Sequence, residues 1–292
     1  MNEWTIQRLL TWVTDYLTQK GVDAPRLSAE LLLSNVLGLK RIELYTQYNK
    51  VVVQEQLDRL RDLVKRAGQH EPVAYLVGRT EFYSIEFEVS PDCLIPRPET
   101  ELLVQRSVEF LRKRTGPQLV CDLCTGSGVI AVAIAKNVPD AKVIATDISQ
   151  AALAVAARNI EKHKLAERID LRHGDLFDPL VPQLDQFDLI VCNPPYVSAA
   201  EYEALDKNVK DYEPRIALHA GEDGLDVYRK ITEEVGQFLK PDGVLLLEIG
   251  YQQGPAVREL LEQTGVFAKI RIDKDLQTHD RIVTSVRIGP TQ

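Results

Sequence analysis

From residue 118 to residue 288 short apolar runs alternate with helical stretches, and this alternation constrains the fold more than any other feature of the chain. Leu119–Leu123, Lys142–Thr146, Ile169–Arg172, Phe187–Cys192 and Gly243–Ile249 read as strands. The stretches 127–137, 149–162, 225–239 and 252–263 read as helices between or after them. Strands alternating with helices give a mainly parallel sheet covered on both faces. The last two strands, 268–273 and 281–288, are separated by too short a connection for a crossover, so they pair as a hairpin and give the sheet an antiparallel edge. The expected fold class is α/β, with a Rossmann-like sheet.

The texture upstream is different. Residues 3–19 carry Trp4, Leu9, Trp12, Val13 and Leu17 at helical spacing. Asp23 reads as the cap of a second helix with Pro25 in its first turn, Gly38 past its end, and Leu27, Leu31, Leu32 and Val36 on its apolar face. Residues 53–67 repeat the pattern through Leu57, Leu60, Val64 and Ala67 and stop at Gly68. No strand pattern precedes residue 79. Residues 1–78 are therefore expected to form a small helical bundle, either a stabilising cap or a docking module. Phe82, Ile85, Phe87 and Val89 suggest a short hairpin, and Ile95-Pro-Arg-Pro-Glu99 interrupts regular structure, so 79–97 reads as a β-hairpin linker. The third segment, 98–292, opens with a helix at 98–113 whose first turn holds Glu99 and Glu101, where negative charge is favoured.

Charge narrows the choice of partner. The 292 residues hold 35 Lys and Arg against 43 Asp and Glu, a net charge of −8. Residues 1–78 hold 10 and 9 of these, leaving 25 and 34, a net of −9, in the remainder. A nucleic-acid binder usually presents a basic stripe, and none is visible here. No run of 18 apolar residues suggests a membrane span, and the N-terminus lacks the basic and apolar segments of a leader, so a cytoplasmic location is expected. Of the four cysteines, Cys121 and Cys192 lie in apolar runs and read as small buried residues. Cys121 and Cys124 have the spacing of a metal half-site, but no second pair or His cluster completes it, and no metal is expected.

The first chemically informative segment is Asp122-Leu-Cys-Thr-Gly126-Ser-Gly128, where a strand runs into a helix. Glycines at such a turn allow close backbone approach to a ligand. Asp147 ends the next strand, the position from which a carboxylate grips ribose hydroxyls. The dinucleotide fingerprint is absent, since Gly126-Ser-Gly128 continues as Val-Ile-Ala. Asp122 at the base of the loop suits an ammonium better than a phosphate. Ribose, adenine and a zwitterionic tail together point to S-adenosyl-L-methionine. Asp175 and Leu176, after the third strand, are the candidates for the adenine edge.

The second is Asn193-Pro-Pro-Tyr196, directly after the strand that ends at Cys192. Two prolines fix the backbone and leave Pro194 without an N–H, so that its carbonyl can face a ligand. Asn193 offers an acceptor oxygen and Tyr196 a flat face. A planar amide or aryl amine is a poor nucleophile because its lone pair is delocalised. Acceptors at Asn193 and Pro194 can hold both N–H bonds while the lone pair is aimed at a sulfonium methyl. Those hydrogen bonds strengthen as positive charge develops on nitrogen.

With these residues in view, the chain resembles the protein-(glutamine-N5) methyltransferases that modify peptide-chain release factors, the HemK/PrmC-type family. The resemblance covers almost the whole length: Ala29-Glu-Leu-Leu-Leu33, Glu71-Pro-Val-Ala-Tyr75 to Gly78, Glu81-Phe-Tyr83, Leu94-Ile-Pro-Arg-Pro-Glu-Thr-Glu101, Asp122 to Gly128, Asn193 to Tyr196, and Tyr212-Glu-Pro214 with Ala217-Leu218. It implies a class I methyltransferase fold with a mostly parallel seven-stranded sheet. It also implies methylation of the glutamine in the Gly-Gly-Gln motif of class I release factors, tuning translation termination, with S-adenosyl-L-homocysteine as the second product. By position, Cys124, Thr125, Gly126, Ser127 and Gly128 form the cofactor loop, Asp147 is the ribose acid, Leu176 borders the adenine, and Asn193 touches cofactor and substrate. Asn193, Pro194, Pro195 and Tyr196 hold the glutamine amide, and the helical domain docks the release factor. Two departures stand out: Cys124 replaces a common glycine, and Leu176 stands where an aromatic is frequent.

Asn-Pro-Pro-Tyr is shared with adenine-N6 nucleic-acid methyltransferases, which makes such an enzyme the main alternative. It would need a basic recognition surface and room for a flipped base, against the −9 of the larger part. A non-catalytic adaptor that keeps only the fold is a second alternative, opposed by the intact tetrapeptide.

Overall fold

The computed structural model describes residues 3–289. The chain divides into two compact units, one comprising the residues up to Arg79 with Asp206–Tyr212, the other Thr80–Leu205 with the residues from Glu213 onward.

The smaller unit contains α1 (Ile6–Gln19), α2 (Pro25–Leu37), α3 (Arg41–Thr46), α4 (Gln54–Ala67) and α5 (Val73–Val77). Its core takes Ile6, Leu9, Leu10, Val13 and Leu17 from α1, Leu32 and Leu33 from α2, and Leu60 and Val64 from α4. Trp4 and Trp12, expected in that stripe, lie on the surface edge to face with centroids 6.1 Å apart. The buried stripe of α1 passes through 6, 9, 10, 13 and 17, and position 12 falls outside it. Leu27 is likewise exposed. Nor does the Asp23 side chain cap α2: the preceding residue is Ala24, at φ +43°. The proline at 25 disfavours a right-handed residue before it, and Asp23 instead offers its carbonyl to the Ser28 hydroxyl at 3.3 Å.

The larger unit carries the sheet. The hairpin β1 (Arg79–Phe82) and β2 (Ile85–Glu88), whose first residue falls in the smaller unit, precedes α6 (Thr100–Leu111). Then come β3 (Gln118–Leu123), α7 (Val129–Asn137), β4 (Ala141–Asp147), α8 (Gln150–Lys162), β5 (Ile169–His173) and β6 (Phe187–Cys192). Short helices α9 (Ala199–Glu203) and α10 (Lys207–Lys210) follow, α10 within the segment that belongs to the smaller unit, and then a 3-10 turn at Arg215–Ala217. The chain ends with α11 (Asp226–Phe238), β7 (Leu239–Glu248), α12 (Gly254–Gln263), β8 (Phe267–Lys274) and β9 (Asp280–Arg287). The seven-stranded order is β5-β4-β3-β6-β7-β9-β8, with β9 antiparallel to both its neighbours. The expected antiparallel edge is present. β9 enters between β7 and β8 rather than adding outside them.

Alternation along each strand feeds two cores. Val120, Val143, Ala145, Leu189, Val191 and Leu246 face α6 and α7, while Cys121, Leu123, Ile190, Cys192, Leu245 and Leu247 face α11 and α12. Phe82, Ile85 and Phe87 of the hairpin are buried in the first of these cores. Asn159 of α8, fully buried, accepts from Glu88 N–H at 2.7 Å and donates to the carbonyls of Glu88 and Ser127 at 3.0 and 2.9 Å. Residues 80–97 of the segment expected as a linker fall in the larger unit. Phe87→Ala should lower the unfolding free energy of the full chain by about 3–5 kcal/mol in urea titration, and a loss below about 1 kcal/mol would return the hairpin to linker status.

Candidate active site

β3 pairs in parallel with β4 on one side and β6 on the other, with Leu123 opposite both Thr146 and Cys192. The chain therefore leaves three adjacent strands at one rim, where strand order reverses, which is where open α/β sheets hold their ligands. A cleft opens at this rim. Its lining includes Cys124, Thr125, Gly126, Ser127, Asp147, Asn193 and Pro195.

The loop after β3 spends its backbone donors internally. Thr125 N–H reaches the Thr146 carbonyl at 3.0 Å, Gly126 N–H the Asp147 carboxylate at 2.8 Å, and Gly128 N–H the Thr125 carbonyl at 2.9 Å. A pyrophosphate would find few donors here and a carboxylate facing it. Asp147 also accepts from Ser149 N–H at 2.8 Å through its other oxygen. Each oxygen is fixed by one N–H and keeps a lone pair for a diol. Val129, Ile130, Ile148 and Ala152 supply apolar walls beside it. An apolar slot with an anchored carboxylate fits an adenosine better than a phosphate-bearing group. Burial pushes the Asp147 carboxyl up, against the pull of its two backbone N–H bonds.

Cys124 lies at φ +56°, in the left-handed region that costs a residue with a Cβ about 1–2 kcal/mol. This is the physical content of the cysteine-for-glycine departure. Asp122 behaves differently from expectation. It is fully buried beneath the loop, where its Oδ2 accepts from the Thr125 hydroxyl at 2.6 Å and from Ala131 N–H at 3.1 Å. A carboxylate at the first turn of α7 complements the helix dipole. It holds the loop and is not available to a ligand's ammonium. Burial pushes its carboxyl up to about 7, against those two hydrogen bonds.

Across the cleft, the Asn193 Nδ2 donates to the Thr100 hydroxyl at 3.1 Å. With its amino group engaged, the side chain has its Oδ1 left to accept. Backbone bonds fasten the segment that follows: Val197 N–H to the Leu218 carbonyl at 2.8 Å and Ala220 N–H to the Val197 carbonyl at 2.9 Å. Gln253 Nε2 donates to the Tyr196 carbonyl at 2.9 Å. Gly224, at φ +76°, packs so closely that a Cβ there would lie 2.4 Å from that same oxygen. Pro194 is buried. The Tyr196 ring packs against the second core, and burial pushes its phenol up to about 12, keeping it neutral.

The cleft brings together most of the residues singled out in the sequence, but not Asp122, Gly128, Asp175, Leu176, Pro194 or Tyr196, which do not line it. Leu176 is buried in the second core with its carbonyl accepting from the Thr146 hydroxyl at 3.0 Å, and Asp175 is paired with Lys230 at 2.7 Å. Leu94, Pro96 and Arg97, at the sequence's break in regular structure, form a wall together with Thr100 of α6. Arg97 makes a 2.6 Å ion pair with buried Glu213, which also accepts from Ile95 N–H at 3.1 Å, and Pro214 and Ile216 complete that side. The signal was an Arg bracketed by prolines together with a Glu-Pro pair far downstream. Among the described residues no group of three His, Cys, Asp or Glu could hold a metal ion, and no helix is long and apolar enough to cross a membrane.

Sheet order and cleft together define a class I methyltransferase with a Rossmann-like sheet. A methyltransferase from Pyrococcus furiosus has a similar fold, with a TM-score of 0.52 at 19% identity over 71% of this chain and 91% of that one. The PrmC N-terminal domain profile matches residues 8–78, and the methyltransferase small domain profile matches 99–211. The release factor glutamine methyltransferase of Rhodopirellula baltica is 44% identical over 284 residues, 96% of each chain. That of Geobacter sulfurreducens is 43% identical over 286 residues, 98% of each. The chain belongs to the release factor glutamine methyltransferase family.

Two outcomes are expected. Because folding raises the Asp122 carboxyl from an ordinary value near 3.8 to about 7, its contribution to stability is full below about 3.8 and lost as pH rises through about 7. Asp122→Asn should therefore flatten the decline in unfolding free energy over that window, by an amount on the order of 4 kcal/mol; an unchanged pH slope would contradict the buried carboxyl. Cys124→Gly should raise stability by about 0.5–1 kcal/mol through relief of the positive φ, measured by thermal unfolding. A lower melting temperature would show the strain to be absent.

Proposed function

We propose that this chain transfers the methyl group of S-adenosyl-L-methionine to the side-chain amide nitrogen, N5, of the glutamine in the Gly-Gly-Gln motif of class I peptide-chain release factors, and thereby tunes translation termination. The observation that carries this reading is the committed Asn193 amide: its Nδ2 is held by Thr100, so its Oδ1 is the group offered to a donor. When bound, the cofactor supplies an electrophilic methyl carbon. Asp147 would hold its ribose, the Cys124–Gly128 loop its amino-acid end, and the apolar walls its adenine.

The chain's own residues supply the rest. Asn193 Oδ1, at the cleft, and the backbone carbonyl of the buried Pro194 beside it would accept the two N–H bonds of the glutamine amide, turning its lone pair towards the methyl donor. Both acceptors sit on backbone that β6 and the Pro-Pro pair hold rigid, so alignment is prepaid; such fixing is worth up to about 7–11 kcal/mol of barrier. Charge that builds on nitrogen is met by acceptors already in place. The methylated nitrogen then becomes acidic and releases a proton to water, so no side-chain base is needed. Pro195 and Tyr196 would border the glutamine.

In this reading the helical unit of residues 1–78 docks the release factor, S-adenosyl-L-homocysteine is the second product, and the site of action is the cytoplasm. The net charge of −9 outside residues 1–78 speaks against the adenine-N6 alternative. Mass spectrometry of a purified class I release factor after incubation with enzyme and cofactor should find one added methyl on the Gly-Gly-Gln peptide. Methyl transfer to oligonucleotides and not to release factor would overturn the reading. Asn193→Ala should lower kcat by about 10²–10³-fold with little change in S-adenosyl-L-homocysteine affinity by calorimetry, and undiminished turnover would remove the amide clamp.

A further inference from the structure

Glu248 ends β7 and is 1% exposed, and its Oε2 has no hydrogen-bond partner among the described residues. Burying a carboxyl this way is costly, and nothing in the chemistry above uses it. Its surroundings are specific. The parallel pairing of Cys192 with Leu247 places Glu248 opposite Asn193 one step along the ladder. Thr100, 2% exposed at the start of α6, accepts a hydrogen bond from Asn193 Nδ2 at 3.1 Å and stands near enough to the Glu248 carboxyl to pull its pKa down. Three side chains from three elements thus make a chain that ends at the cleft.

We propose that Glu248, acting through Thr100, is the positioning residue that fixes which end of the Asn193 carboxamide faces the transferring nitrogen. The inference rests on the amide-transfer reading and adds to it the device that sets the polarity of the clamp. An ionised carboxylate only accepts, so the Thr100 hydroxyl must spend its proton on Glu248. The hydroxyl oxygen then has only lone pairs to offer, and Asn193 must present its amino group to Thr100 and its oxygen to the cleft. A protonated Glu248 is a donor. Thr100 is then free to donate to Asn193, the amide can turn over, and an NH₂ group in the cleft repels the N–H bonds it should accept.

The balance lies within reach of ordinary pH. Burial pushes the Glu248 carboxyl up to about 7; Thr100, Arg281 and Arg97 pull it down, and Glu99 pushes it up. Tyr228, whose hydroxyl donates to the Glu248 carbonyl at 2.8 Å, and Tyr196 complete the facing groups, and burial keeps both phenols neutral. Arg281 is itself engaged by Asp275 at 3.3 Å.

The test is the pH dependence of kcat for release-factor methylation by the full chain and by Glu248→Gln, Thr100→Ser and Thr100→Val, between pH 5.5 and 8.5. In the wild-type enzyme kcat should fall on the acid side of the Glu248 titration, by about tenfold per pH unit. Glu248→Gln, which cannot ionise, should lose that acid limb while its melting temperature and cofactor KM stay close to wild type. Thr100→Val should lose roughly 10²-fold in kcat, with cofactor KM little changed, and Thr100→Ser should restore both the rate and the limb. An acid limb that survives in Glu248→Gln, wild-type kcat in Thr100→Val, or equal losses in Thr100→Ser and Thr100→Val would each overturn the positioning role while leaving the amide-transfer reading in place. Absence of wild-type methylation at every pH would overturn that reading, and the positioning role with it. Should Thr100→Val fail to fold, the other two variants decide.

Discussion

The in-register parallel ladder of β3 with β4 and β6 is the constraint from which the site follows. Because Leu123, Thr146 and Cys192 finish side by side, the Gly loop, Asp147 and Asn193 emerge at one rim without any long loop to bring them together. Helix α7 can start directly after the loop because Asp122 satisfies its first turn from below. The site is therefore built on strand ends and is as rigid as the sheet.

That economy has an electrostatic cost. Strand ends of a sheet covered on both faces are dry, so the carboxyl groups placed there lose hydration. Asp122 and Glu248, at the ends of β3 and β7, are both pushed towards neutrality by burial. Asp122 takes two donors and a helix terminus on one oxygen, and its other oxygen has no partner among the described residues. Glu248 likewise has one oxygen without a partner among them, and the nearby Thr100 pulls its carboxyl down. The first holds the loop and the start of α7, and the second has the positioning role proposed above.

Much of this was legible in the sequence because it depends on local pattern. Strand and helix periods placed the sheet, the loop from Asp122 to Gly128 and the tetrapeptide at strand ends. What was not legible depended on long-range partners. Asp122 reads as a ligand group from its position, and only the approach of Thr125 and Ala131 shows that it is spoken for. Trp12 has the apolarity of a core residue but lies off the buried stripe by one position. Leu176 lies at the expected strand end, yet its side chain turns into the core while its carbonyl meets Thr146. The hairpin reads as a linker because its strands are short, and its anchoring by Asn159 spans 71 residues of sequence. The wall from Leu94 to Arg97 carries no periodic signal at all. Its order comes from the pairing of Arg97 with Glu213, 116 positions away.

The closeness of Gly224 to the Tyr196 carbonyl has a consequence for how variation in such a chain should be interpreted. That glycine lends no side-chain atom to any reaction, yet even a methyl group in its place would displace the oxygen it leans on. A saturation survey of the gene would rank the position beside Asn193. The resemblance would be inherited through contact, one residue's intolerance borrowed from the geometry of another.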